Sequence, residues 1–457
     1  MTIQRTLAVA AIISVPIWPV SIRAQSQESQ NIDTKALLQR IEALDQEVRV
    51  LERKQELDKD AQADLAKTQP HLSLGSSGFT LSSADTNFVI GLHGLIQLDS
   101  RTFFNDGGIK GNDGFILRRV RPIISGTVYR DFDFLFVPDF GGSSPTIQDA
   151  FVNYRYNHAL QLQAGKFKSP VGLEQLQSDA AMPFVERALP TDLVPNRDLG
   201  VELHGDLWEG TVSYAAGIFN GVPDSGSSAN ADFDDDKEFA GRLFFQPFIT
   251  SSREPLRGLG FGVGGSYGSE YTASGVSSYK TDGQQKFFGY GSTVVANGTH
   301  YRVSPQGYYY YGPFGFLGEY VVSAQDVQKP GTPAVSATLQ NTAWQVVGSW
   351  VLTGEDVRYN GVSPAHPFKP SENQWGALEL SARYASLDID PDAFPTFASS
   401  STSARSASAW GVDLSWWLNR NIRVSTAFDR TTFKGGDSGT VTKQPENIFF
   451  TRIQLSF

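Results

Sequence analysis

The sequence predicts an all-β fold, an antiparallel transmembrane β-barrel of about sixteen strands preceded by a short N-terminal coiled-coil helix. Three observations carry that expectation. The chain ends on ENIFFTRIQLSF, where Phe449, Thr451, Ile453, Leu455 and Phe457 fall on one face of a strand and Phe450, Arg452, Gln454 and Ser456 on the other. Alternation of this kind sets one face in an apolar medium and the other in water. The pattern recurs along most of the chain from Phe88 onward, and the links between its segments are alternately short and long. Turns at one rim and loops at the other describe a membrane barrel. A soluble sandwich can also end on such a strand, but it does not account for the repetition.

Composition bounds the answer in the same direction. A chain of 457 residues can hold two or three soluble domains or one large barrel. Charged residues are 19%, aromatics 12%, and there are 44 glycines. A mean hydropathy of −0.25 suits strands that are only half apolar better than a helical membrane protein. The net charge of −10 argues against nucleic-acid binding. Much of that acidity lies in one expected loop, at Asp224, Asp232, Asp234, Asp235, Asp236 and Glu238, so it says little about the barrel interior. With no cysteine, disulfides and thiolate metal sites are excluded. The six histidines have no metal-ligand spacing, and no GxSxG or glycine-rich phosphate loop occurs in a strand–helix context. No catalytic residue, metal or cofactor is expected.

Taken in order, Arg5 precedes the apolar run Leu7 to Val20, and SIRAQSQ follows. Residues 1–24 read as a secretory signal peptide, too short and too broken by Pro16 and Pro19 for a comfortable membrane span. Residues 25–70 read as a periplasmic helix and linker. Leu37, Ile41, Leu44, Val48 and Leu51 make a coiled-coil seam that Gln55 and Asp58 then weaken, and TQPHLSLGSSG reads as the linker. A lone amphipathic helix is the alternative. Residues 71–457 form the barrel, with strands drawn at 88–99, 115–130, 132–140, 147–157, 160–169, 198–208, 211–221 and 237–248. Eight more fall at 259–271, 300–312, 314–327, 342–354, 376–390, 407–419, 422–433 and 446–457. The link 355–375 is long where a short one is due.

The charged residues on water-facing positions are the functional candidates. In FILRRVRPIISGTVYR, alternation puts Arg119 and Arg121 on the lumen face with Ser125 and Thr127, while Arg118 faces lipid unless the strand is bulged or only beginning there. Asp149 lies on the polar face of IQDAFVNYRY, and LQLQAGKFKSPVG supplies Lys166 and Lys168. The segment 170–197 that follows, with Glu174, Arg187 and Arg197, is long enough to fold inward. Arg242, Arg302, Glu319, Glu379, Arg383 and Arg423 are further lumen-side candidates. Guanidinium and ammonium groups in a narrow pore replace the water that an anion sheds, and Arg offers a donor fork that fits phosphate oxygens. The same charges could instead serve as salt bridges between strands.

The stretch from LRRVRP through IQDAFVNYRY and AGKFKSPVGLEQL to FVERAL, with TGED and WGALELSARYASLD further on, resembles the phosphate-selective porins of Gram-negative outer membranes. The resemblance implies a homotrimer of sixteen-stranded barrels in outer-membrane lipid, an inward third loop, and passive diffusion of small anions such as phosphate past lumen Arg and Lys. The family's RRxR motif falls on Arg118 and Arg119 with Arg121 behind, its acidic residue on Asp149, and its GKFK lysines on Lys166 and Lys168. Pro122 directly after the cluster, the lack of a full arginine ladder and the acidic loop depart from the family pattern. Anion preference is therefore the firmer expectation and phosphate the finer one. A general or carbohydrate porin and a non-transport barrel such as an adhesin stay open.

Overall fold

The computed structural model describes residues 34–104, 111–229, 235–272, 276–435 and 444–457. The expected signal peptide and two residues of the acidic loop, Asp232 and Asp234, lie outside them. The chain divides into two units, Met1–Ala66 and Lys67–Phe457. All but the last two residues of helix α1 (Thr34–Thr68) belong to the first. Its seam residues Leu37, Ile41, Leu44, Val48 and Leu51 are all exposed, at about half of their surface. Among the described residues no helix is long and apolar enough to cross a membrane.

The second unit is a closed antiparallel barrel of sixteen strands. They are β1 (Val89–Phe104), β2 (Gly114–Val128), β3 (Phe132–Asp139), β4 (Thr146–Asn157), β5 (Leu160–Lys168), β6 (Arg197–Leu207), β7 (Val212–Phe219) and β8 (Glu238–Phe245). Then follow β9 (Leu259–Tyr271), β10 (Val295–Tyr311), β11 (Phe314–Lys329), β12 (Val335–Val351), β13 (Ala377–Asp388), β14 (Ala404–Trp417), β15 (Ile422–Gly435) and β16 (Glu446–Ser456). Each pairs with its neighbours in sequence, and β16 closes on β1 from Asn447 opposite Phe104 to Ser456 opposite Leu95. Phe457 and Gly94 then exchange backbone hydrogen bonds at 2.8 and 3.0 Å. Closure leaves no free sheet edge, which is what permits strands to cross a bilayer.

Burial is inverted relative to a soluble protein. On β14, Trp410, Val412 and Leu414 are exposed while Asp413 and Ser415 are buried. On β16, Ile453 is 52% exposed and Arg452 0%. The outward band thus meets lipid and the inward faces meet one another and the loops.

The expected strands all occur, and the differences are at their ends. The link drawn at 328–341 is only 330–334, because β11 and β12 extend and pair as far as Lys329 and Val335. Pairing of that kind rests on backbone hydrogen bonds rather than on an apolar outer face, so alternation does not report it. The segment read as a linker contains a hairpin, His71–Gly75 with Gly78–Ser82, whose second strand joins β1 with Phe79 opposite Leu92. The long link on the short-turn rim, 352–376, carries a small hairpin of Val357–Arg358 with Gly361–Val362. The turn at Gly312–Pro313 is tight because Gly312 takes φ 52°.

Candidate functional site

The interior is built around the long link between β5 and β6, residues 169–196. Its apolar residues Val171, Leu173, Met182, Phe184, Leu189 and Leu193 are fully buried or nearly so. Phe184 packs on the inner wall with Leu317 and Val347, and Leu189 and Leu193 with Val321, Ala343 and Ala385. The wall also holds the link by its backbone. Arg423 donates to the Met182 carbonyl at 2.7 Å, Arg383 to that of Glu186 at 2.8 Å, and Arg452 to that of Val185 at 2.5 Å. Apolar burial and guanidinium-to-carbonyl bonds together fold this loop inward.

Two carboxylates of the loop collect the cations. Glu186 accepts from Arg118 through both oxygens, at 2.6 and 3.1 Å, and from Arg101 at 2.8 Å, with Arg452 at 3.5 Å. Arg452 in turn makes a bidentate pair with Asp99, at 2.6 and 2.7 Å. Asp179 pairs with Arg119 at 3.3 Å, with Arg187 at 2.5 Å and with Arg121. Arg121 also donates to Asp139 at 2.6 Å, and Arg119 to the Gln97 side chain at 2.7 Å. Among the described residues these contacts form two clusters. One is Arg101, Arg118 and Arg452 with Asp99 and Glu186; the other is Arg119, Arg121 and Arg187 with Asp139 and Asp179. Each has three guanidiniums to two carboxylates, and arginine stays charged in proteins. Each cluster therefore carries one uncompensated positive charge.

Both loop carboxylates stay ionised. Burial alone would raise Asp179, but Arg119, Arg187 and Arg121 outweigh it and hold the carboxyl well below its ordinary range. Burial is likewise outweighed at Glu186, chiefly by Arg118 and Arg452, and its carboxyl is held low.

Arg118 reaches this site through a bulge. Gln97 pairs with Arg119 and Leu98 with Leu117, so Arg118 is the extra residue of β2 and its side chain turns to Glu186. It keeps 28% of its side-chain surface exposed, against 3% for Arg119 and 9% for Arg121. The other expected residues are less gathered. Lys168 donates to the carbonyl of Gln177 at 2.8 Å, tying the end of β5 to the inward loop. Asp149 does not hold Arg119 or Arg121, as its side chain accepts from Arg197 at 3.1 Å; Asp139 and Asp179 do that work. Lys166 stands apart. It pairs with Ala150 and Leu199, in step with the exposed Leu162 and Ala164, and donates to the Ser228 carbonyl at 2.5 Å. It lines a recess with Pro138, Pro145 and Asn196, away from the two clusters.

Sequence reasoning named none of Asp179, Glu186, Asp139 or Arg101 as site residues. Arg101 continues the inward alternation of Gln97 and Asp99 and was within reach of that pattern. The loop carboxylates sit in a segment with no period. A second inward loop was also missed. Residues 276–294 bury Tyr279, Phe287 and Phe288, and Asp282 pairs with Arg383 at 2.9 Å. The lumen-side candidates Arg302, Glu319, Glu379, Arg383 and Arg423 are all buried inward, and Arg242 lies over the Phe244 ring at 4.2 Å.

Above the clusters, on the side of the long loops, lies a cavity of about 1070 Å³. Its wall includes Arg118 and Arg187, residues 141–144 between β3 and β4, Thr146 at the start of β4, and Lys280 and Gln284 of the second inward loop.

The family described as phosphate-selective porin O and P matches residues 90–457. A comparison with curated proteins finds no match. Among solved structures, the outer membrane channel DcaP of Acinetobacter baumannii is similar over 83% of this chain and 100% of its own, at 12% identity and a TM-score of 0.52. Outer-membrane expressed OmpT of Vibrio cholerae is similar over 81% of this chain and 98% of its own, at 11% identity and a TM-score of 0.51. At these identities the likeness is one of fold.

Proposed function

We propose that this chain, which belongs to the phosphate-selective porin family, conducts small anions selectively, phosphate or related oligoanions among them. By family and fold it is an outer-membrane channel. The observation that carries the anion reading is the excess of guanidinium over carboxylate in the two clusters at Asp179 and Glu186, although Arg383, against Glu174, Asp282 and Asp429, has the opposite balance. A buried site with spare positive charge favours an anion over a cation, and field strength rises where water is excluded. Arg118 presents the accessible edge of that charge, Arg119 and Arg121 stand behind it, and Lys168 fixes the loop that holds Asp179. Asp149 positions Arg197. Lys166 is left out of the filter and tethers the rim at Ser228. The protein works as a homotrimer in Gram-negative outer-membrane lipid, with α1 in the periplasm as a coiled coil.

The test is a phosphate titration against the chloride current of single channels. Wild type is expected to be blocked by phosphate, and Arg118→Gln to raise the half-blocking concentration about tenfold, as fits the loss of one charge-assisted contact. Block by neutral sugars without block by phosphate would favour a carbohydrate channel instead.

A further inference from the structure

We infer that the cavity above the guanidinium clusters is a binding chamber for a hydroxylated organic anion, of the sugar-phosphate or sugar-acid class, which it takes in preference to inorganic phosphate. The inference rests on the anion reading above and names the ligand that this reading leaves open.

Three features of the chamber converge. The first is size. Pockets for drug-sized molecules run to about 300–1,000 Å³, and this one is about 1070 Å³. Inorganic phosphate fills a small part of it and would cross it hydrated.

The second is where its charge sits. Arg118, Arg119, Arg121, Arg187, Arg197 and Lys280 line it against Asp139, Asp179, Glu186 and Asp192, six cations to four carboxylates. That balance attracts an anion. Yet Arg119 and Arg121 are buried and engaged with Asp179, so they cannot close around a free tetrahedral ion. The charge open to the chamber is an edge, at Arg118 and the exposed Lys280, and it suits one anionic group at one end of a longer molecule.

The third is the rest of the wall. Ser143, Ser144, Thr146, Gln148, Thr191 and Gln284 are uncharged hydroxyl and amide side chains, able both to donate and to accept. The apolar part of the lining is the strand segment Phe115, Ile116 and Leu117, with Ala188 of the inward loop, so most of the wall is polar. Hydroxyl and amide groups sharing one chamber with a cationic edge match a ligand that carries both an anionic group and hydroxyls.

The experiment uses the full-length channel in planar bilayers. Reversal under a KCl gradient first reads whether it selects anions. Glucose 6-phosphate, inorganic phosphate and glucose are then titrated separately against the chloride current. The expected result is half-block by glucose 6-phosphate at a concentration about tenfold below that of inorganic phosphate, an advantage of about 1.4 kcal/mol. Glucose alone does not block. Gln148→Leu raises the half-blocking concentration for glucose 6-phosphate several-fold and leaves that for inorganic phosphate unchanged. Anion-side reversal with inorganic phosphate blocking as well as the sugar phosphate would overturn the chamber while the anion reading stands. Equal block by glucose would overturn it as well, since the charge would then do nothing. Cation-side reversal would remove both.

Discussion

Asp179 and Glu186 each draw three guanidiniums to themselves. They set how much positive charge the lumen shows. Replacing Asp179 with Asn keeps the shape and removes one negative charge, so the Arg119–Arg121–Arg187 cluster goes from one spare charge to two. Asp179→Asn is expected to increase the anion-to-cation permeability ratio, read as a larger reversal potential; an unchanged ratio would mean that this cluster does not face the permeation path. Arg118→Gln acts in the opposite sense, lowering the ratio while the barrel still folds. The pairing partners of Arg118, Arg119 and Arg121 could not be read from sequence. Their inward direction follows from a two-residue period, but Asp179 and Glu186 lie about sixty residues on in a loop without one. Lys166 shows the converse. The GKFK spelling groups it with Lys168, and their two-residue spacing would give both one face, yet the two lysines bond to different loops.

At the scale of the element, the inward loop is held by ion pairs whose acids are depressed. Such groups contribute stability that is fully present above their unfolded range, about 4 for Asp and Glu, and lost as pH falls through the lower folded value. The contribution of Asp179 and Glu186 to loop docking is therefore expected to be flat from neutral pH down to about 4 and to weaken only below it, while Asp192 of the same loop, pushed up by burial, does not favour undocking over that range. Limited proteolysis within 170–197 across pH reads this, and cleavage that grows already between pH 7 and 5 would contradict it. Strands were legible because their period is enforced at every residue. The two inward loops were not, since what folds them is long-range burial. The 276–294 loop, with Phe287 and Phe288 packed inside the barrel, gives no local sign of its destination.

Across the whole molecule, the barrel puts Trp410, Val412 and Leu414 toward lipid and Asp413 and Ser415 inside. Val412→Arg places a charge in the apolar band and should cost roughly 2–4 kcal/mol at mid-membrane, seen as loss of the heat-modifiable folded band on gels; a wild-type yield of that band would put Val412 outside the membrane. Assembly is open to cross-linking of the extracted protein, where a trimer is expected and monomer alone would contradict it. Although the chain's net charge is −10, the two clusters at Asp179 and Glu186 each hold one guanidinium more than carboxylates. The most direct test of the anion reading is the zero-current potential of the wild-type channel in a planar bilayer under a KCl gradient. Reversal on the anion side is predicted from the spare charge of the two guanidinium clusters. Reversal near zero or on the cation side would mean that these arginines are structural ties for the inward loop and that the pore sorts solutes by other means.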